Sequence, residues 1–521
     1  MPGLKKAVVL ILLCCLLATL LSCGGSNSTI VFISPATATV NAGASLQFTA
    51  NVPVTWSVSG NGVIDAAGFF KAGNTAGTVT ISAFATDGSR SSGTATVTIS
   101  TTGTTTTTTT TTAAPSGIAH RVFVSNKFAG VLNIVNADTD LLSTHSVSVG
   151  GAPTFMLQTS DLTVEVVYDS ANNILEFVDN TTEAVTSPTL TLAGAINSAA
   201  LIPGATAAYA AVPTAFATDS NGNSVTGAVY RADFSSGGFL SVGIQGVRFI
   251  SMDHNAVNML AFSQYCDTVT LVTSSAGALT SNTGTLKGTV LPSGATNCTT
   301  TSFSRPVAAV FSSDDTTAYV LSSGPVNGGT QAMVTVLDMT QSPPAVLKTI
   351  PVSGANVGLL QGTQLYVAGA QFAPCTSDAT QTCQQAVLTV IDTSTNTVTG
   401  SVPFGQSAPN LVPGVLTFDG TNLWIGSTGC QIPAGAPGCL SLYFPASGQA
   451  VTNVLPGVLT DQTDDVTGMV WLKPFNKREI MYVIEGGELL IYDNSFNLLT
   501  QNGSQIVVDI VGQAVDVKAV K

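Results

Sequence analysis

A short apolar strand with a bulky residue at its centre returns eight times between residues 120 and 521, and this return limits the fold more than any other feature. The copies are Val122-Phe123-Val124, Val166-Val167-Tyr168, Ala208-Tyr209-Ala210, Met259-Leu260-Ala261, Ala318-Tyr319-Val320, Leu365-Tyr366-Val367, Leu423-Trp424-Ile425 and Met481-Tyr482-Val483. A hairpin and a second strand, often ending in Asp, follow. That strand is clearest at Leu388-Thr389-Val390-Ile391-Asp392 and Val334-Thr335-Val336-Leu337-Asp338, and it recurs at Leu175-Glu176-Phe177-Val178-Asp179 and Leu490-Ile491-Tyr492-Asp493. A Thr/Val strand and a fourth strand leading to a turn complete the unit. The period is about 50 residues, that of supersecondary units that bury their apolar faces only by stacking on one another.

Four strands per unit at this period predict the blades of a β-propeller. The unit resembles the YVTN-type repeats of surface-layer and periplasmic propellers, although the third, fourth and seventh copies carry lengthened hairpins. Eight blades are preferred, and seven follow if the divergent fourth copy is not a blade. The first copy opens at the second strand of a blade, 121–125, and the C-terminal 513–520 reads as the innermost strand that precedes it. Pairing the two would close the ring and leave no open sheet edge.

Upstream the chain changes character. Lys5 and Lys6 precede an apolar run from 7 to 21, then Ser22-Cys23-Gly24-Gly25. A positive start and a short apolar stretch make a secretory signal, and the run is shorter than the roughly 20 residues that span a bilayer. A small residue followed at once by Cys resembles the bacterial lipobox. The resemblance implies removal of 1–22, lipidation of Cys23, a tether over 23–29 and a lipid-anchored place in the bacterial cell envelope. Gly24 rather than Asp after the lipidated Cys favours an outer membrane where one exists. Two or three acyl chains, at about 0.8 kcal/mol per buried CH₂, hold far better than one.

Residues 30–99 alternate over short strands at 31–33, 45–50, 54–58, 77–83 and 94–99, broken by Gly60-Asn61-Gly62 and Asp87-Gly88. Such spacing predicts a β-sandwich. Ser34-Pro35, Thr39-Val40-Asn41-Ala42-Gly43, Leu46-Gln47-Phe48-Thr49-Ala50, Val54-Thr55-Trp56-Ser57-Val58 and Gly68-Phe69-Phe70-Lys71-Ala72 resemble the bacterial Ig-like group 2 (BIG2) domain, with Trp56 expected between the sheets. A linker, 100–117, holds unbroken threonine from 104 to 112. It has nothing with which to build a core, and fully extended it spans up to about 60 Å. The propeller takes 118–521. The fold class is therefore all-β: an Ig-like β-sandwich plus a β-propeller.

Charged residues make up only 9% of the chain against 45% hydrophobic, and the net charge is −13. Loss of Lys5 and Lys6 with the signal lowers it further. An acidic head is repelled by phosphate backbones, so nucleic acid is excluded as a partner. Once Cys14, Cys15 and Cys23 are set aside, six cysteines remain: Cys266, Cys298, Cys375, Cys383, Cys430 and Cys439. An even number in an exported chain predicts disulfides. Cys375/Cys383 and Cys430/Cys439 each bracket a short loop, and local pairing leaves Cys266 with Cys298.

Candidates for chemistry are few. His120, His145 and His254 lack metal-ligand spacing, and His254 reads as part of a turn between blades. No nucleophile elbow, P-loop or dinucleotide loop is present. Acidic groups at Asp138/Asp140, Asp219 to Asn223, Asp314/Asp315 and the trio Asp461, Asp464 and Asp465 offer calcium oxygens, with the trio the strongest. Asp beside Asn and Gly is also what tight turns demand. No other cofactor is implied. Long hairpins at 212–225, 323–331, 370–384 and 426–439 stand out on a regular scaffold, where recognition tends to sit. The expectation is a non-catalytic envelope binding or scaffold protein, anchored to membrane, whose head takes a protein or glycan ligand. A propeller hydrolase or lyase acting on glycans, and a purely structural envelope protein, are the competing classes. Fold alone does not choose among them.

Overall fold

The structure is a computed structural model. It describes residues 31–34, 37–41, 45–50, 52–65, 68–86, 91–100, 115–204, 206–234, 237–280, 284–293, 298–375, 378–430, 437–454, 465–497, 500–501, 504–505, 507–508 and 510–520. The chain divides into two compact units, Met1–Thr105 and Thr106–Lys521. Cys23, Asp461 and Asp464 lie outside the described residues.

The first unit holds a sheet in the order Thr37–Asn41, Ser92–Ser100, Gly77–Ala85, Val54–Ser59, whose first pair is parallel. A smaller sheet orders Ser45–Gln47, Phe69–Ala72 and Gly62–Ile64. Ile33–Ser34 pairs with Thr49–Ala50. Alternation sends Val79, Ile81 and Ala83 inward from one strand to meet Phe48 and Phe70 in a common core. Trp56 is only half-buried, at the edge of that core, with its ring 6.4 Å from Phe48. Gly68 lets the chain pass this close: its φ is +84°, and a Cβ would stand 2.4 Å from the Phe48 carbonyl oxygen.

The second unit is a propeller of eight four-stranded antiparallel sheets. The second blade spans 153–191, the third 198–243, the fourth 247–291, the fifth 306–351, the sixth 357–408, the seventh 412–454 and the eighth 466–508. In each, the first strand in the chain lies innermost and abuts the first strand of the next blade, so that eight strands ring the axis. The divergent fourth copy, on which the seven-blade alternative turned, builds a complete blade. The first blade is assembled from both ends of the unit. Arg121–Asn126, Val131–Asn136 and Leu141–Ser148 supply three strands, and the C-terminal Ala514–Val520 pairs with Arg121–Asn126 as the innermost one.

Burial explains the repeat. Second strands such as Arg121–Asn126, Met259–Ser263 and Ile480–Glu485 are buried at nearly every position, because each blade packs against a neighbour on both faces. A strand covered on both faces needs a continuous apolar run. The outermost Leu141–Ser148, one face open, alternates from Leu142 onward instead. The recurrent aromatic ring fills the space between blades, and its polar tip finds a partner there. Tyr209 Oη donates to the Leu279 carbonyl across to the fourth blade at 2.8 Å, and Trp424 Nε1 donates to Asp419 at 2.9 Å. The Asp that ends the third strand closes its turn: Asp179, Asp338, Asp392 and Asp493 each accept the backbone N–H two residues on, at 2.8 to 2.9 Å.

Candidate binding face

In an antiparallel meander, alternate connections fall at alternate ends of the sheet. The hairpins joining second to third strands therefore share one face of the ring with the starts of the innermost strands. The hairpins joining first to second and third to fourth strands lie on the other. All four long hairpins expected from the sequence join second to third strands, so they gather on one face. In the third blade Ala207–Thr218 and Ser224–Asp233 run on past the sheet as a protruding ribbon, and in the sixth Gln364–Pro374 and Thr382–Asp392 do the same. The fifth carries a 3-10 turn at Gly324–Asn327.

The disulfides fall on this same face. Cys375–Cys383 and Cys430–Cys439 each staple a second-to-third hairpin, with Cα atoms 4.8 and 5.7 Å apart. Cys266–Cys298, Cα atoms 4.7 Å apart, ties the hairpin of the fourth blade to the connection leading into the fifth. The local pairing expected from spacing is the one present.

A cavity of about 520 Å³ opens on this face at the mouth of the ring. Innermost strands of the third to seventh blades form its wall, and its polar lining includes Arg248, Asn327, Asn356, Gln384 and Asn410 beside the serines Ser198 and Ser251. Beside it, sharing Arg248 and Asn327, a pocket of about 120 Å³ is walled by Tyr265 and Arg305. The larger volume is that of a small-ligand site. Arg248 was not singled out as a site residue; its only signal in the sequence is its rarity among so few cations.

The opposite face holds the histidines and most of the acidic groups. His120 Nδ1 lies 2.9 Å from Asp138, His145 Nε2 3.4 Å from Glu183 and His254 Nδ1 2.6 Å from Asp315. The turn bearing His254 lies inside the fourth blade, between its first and second strands, and not between blades as expected. The hydrogen bond from His120 leads the effects that hold the Asp138 carboxyl below its usual range. Asp314 is lowered by the hydroxyl of Ser312 and the N–H and hydroxyl of Thr316. Asp140 takes both terminal nitrogens of Arg478 at 2.6 Å, plus the Tyr482 hydroxyl, joining the eighth blade to the first. On the hairpin face, Asp219 accepts the N–H groups of Asn221 and Asn223 at 2.9 and 2.8 Å, which lower its pKa, foremost that of Asn223. Each of these carboxylates works in a turn or an ion pair. Asp465 accepts the Gly429 N–H at 2.6 Å, clasping the seventh-blade hairpin to the entry of the eighth. Among the described residues no three His, Cys, Asp or Glu side chains gather as a metal site.

Comparison with known proteins agrees with this architecture and adds no chemistry. No protein-family model matches the chain, and no curated protein matches its sequence. Among solved structures, the dihydro-heme d1 dehydrogenase NirN is similar at 10% identity and TM-score 0.52, covering 78% of this chain and 75% of that one. A functionally unknown protein from Desulfotomaculum acetoxidans is similar at 11% identity and TM-score 0.45, over 77% of this chain and 98% of that one. The WD40 domain of Sif2 is similar at 9% identity and TM-score 0.45, over 70% and 90%. The chain is thus a β-propeller protein. At these identities the likeness concerns the fold alone.

Proposed function

We propose that this chain is a non-catalytic, lipid-anchored binding protein of the bacterial cell envelope. Cys23 carries the lipid, 30–99 is an Ig-like stalk of the BIG2 kind, 100–117 is a spacer, and the YVTN-like propeller head recognises its ligand with the hairpin face. The observation that carries the reading is the placement of the four hairpins at 212–225, 323–331, 370–384 and 426–439, and of all three disulfides among the described residues, on the face where the cavity opens. Covalent stapling lowers the ordering cost of a loop on binding, which favours recognition.

The test is retention of purified envelope polysaccharides by the full-length protein, before and after the hairpins 212–225 and 370–384 are shortened to two-residue turns. Retention lost with the melting temperature of the head unchanged supports the reading. Retention unchanged by both shortenings refutes it. Cys23→Ser serves as the anchor control and abolishes incorporation of labelled fatty acid while leaving retention intact.

A further inference from the structure

Charge at the mouth runs against the charge of the chain. The sequence carries −13, yet the residues lining the cavity and its neighbouring pocket include Arg248 and Arg305 and no carboxylate. Arg305 is held in place, with Nη1 donating to the Tyr265 carbonyl and Nε 3.9 Å from Asp267. Arg248 is free. It is exposed, its guanidinium lies 5.0 Å from the centroid of the Phe249 ring, and it is without a hydrogen-bond or ionic partner among the described residues. A guanidinium presents donors in a planar fork that fits a carboxylate in two bonds at once.

The rest of the wall suits hydroxyl groups. Asn327, Asn356, Gln384 and Asn410 bring carboxamides, each both donor and acceptor. Gln384 Oε1 is buried without a hydrogen-bond partner, an arrangement that an incoming O–H donor would relieve. Two exposed aromatic side chains belong to hairpins of the same face. Tyr265 is 65% exposed and lines the smaller pocket. Phe372, 55% exposed, is the cross-strand partner of Gln384, so the two side chains share one side of the sixth-blade hairpin. Aromatic faces, carboxamides and one free cation together match a pyranose ring that bears a carboxylate. A nucleic acid would need many cations along a track, and this mouth offers one.

Taking the hairpin face as the binding surface, we propose that its mouth binds an acidic saccharide of the uronic acid class. The carboxylate pairs with Arg248, the hydroxyls meet the carboxamides, and a ring face lies on Tyr265. The experiment is calorimetric titration of the full-length protein with tri-galacturonate, a hyaluronan tetrasaccharide, neutral galactotriose and inorganic phosphate. At least one acidic saccharide is expected to bind tenfold or more tightly than galactotriose. Arg248→Gln should reduce it to the neutral level, and Lys127→Gln, a cation on another hairpin of the same face, should leave it unchanged. Equal binding of neutral and acidic saccharides, insensitive to Arg248→Gln, overturns the acidic specificity but leaves the hairpin face as a binding surface. Phosphate binding as tight as the acidic saccharide makes this a general anion site and overturns the saccharide assignment. Binding of neither acidic probe overturns it as well, and the polysaccharide retention assay then decides separately whether the face binds anything.

Discussion

Replacing Glu165 by Gln should make the propeller more stable, and increasingly so as pH rises. Glu165 is fully buried at the seam where the ring closes. Gln158 Nε2 donates both to Glu165 Oε1 and to the Ala519 carbonyl of the closing strand, each at 2.5 Å, while Glu165 Oε2 has no partner. Burial is the main cause that pushes its pKa up from 4.5 to about 8. A carboxyl raised in the folded state is neutral in both states below its unfolded pKa, so nothing is lost there. Between about 4.5 and 8 the unfolded chain ionises first, and stability falls by about 1.4 kcal/mol per pH unit. The loss is complete above about 8 and totals roughly 5 kcal/mol. Glutamine keeps the shape and never ionises, so it removes this slope. At about 2.1 cal/mol/K per residue over roughly 400 residues, 5 kcal/mol corresponds to ~6 °C in melting temperature. Scanning calorimetry of wild type and Glu165→Gln from pH 4 to 9 reads this directly. Curves that coincide at acid pH and part to about 6 °C by pH 9 are expected. A constant offset, or a variant that loses stability as pH rises, would refute the reasoning.

Three further outcomes follow from the packing. Trp424→Ala, which empties a wholly buried site between the seventh and eighth blades and removes the donor to Asp419 Oδ2, should cost about 3–5 kcal/mol in denaturant unfolding; a loss below 1 kcal/mol would mean the ring is not packed as described. Arg478→Met leaves Asp140 half-satisfied at the joint of the eighth and first blades, and should cost about 2 kcal/mol, less than a fully buried pair because solvent reaches it; added salt should not restore the loss. Replacing Cys375 and Cys383 together by Ser should cost up to about 2.5 kcal/mol by the loop-entropy model, with faster hydrogen exchange confined to 370–384; exchange spreading through the sixth blade would contradict a local staple.

The propeller was legible in the sequence because its second strands are buried on both faces. Val122-Phe123-Val124 and its copies could not afford polar residues, so they stand out as runs. Closure was legible for a related reason: a lone strand at one end and a three-strand remnant at the other complete each other. The first unit was less open to reading. Thr37–Asn41 is a polar, alternating strand without an apolar run, and it runs parallel to Ser92–Ser100, far along the chain. The acidic groups were equivocal, since Asp219 and Asp314 carry the same residues a metal loop or a turn would need. Glu165 was invisible for the opposite reason: one Glu at the start of an apolar strand reads as solvent-facing, and only the neighbouring blade buries it. Arg248 is of that kind too. Its importance comes from what surrounds it, and five different blades supply the surroundings.

The account rests on the hairpin face being the one that recognises a ligand. Hydrogen–deuterium exchange of the full-length protein with and without purified envelope polysaccharide tests this most directly. Protection at 212–225, 323–331, 370–384 and 426–439, with the segments holding His120, His145 and His254 unchanged, is the predicted result. Protection confined to the histidine face would contradict it.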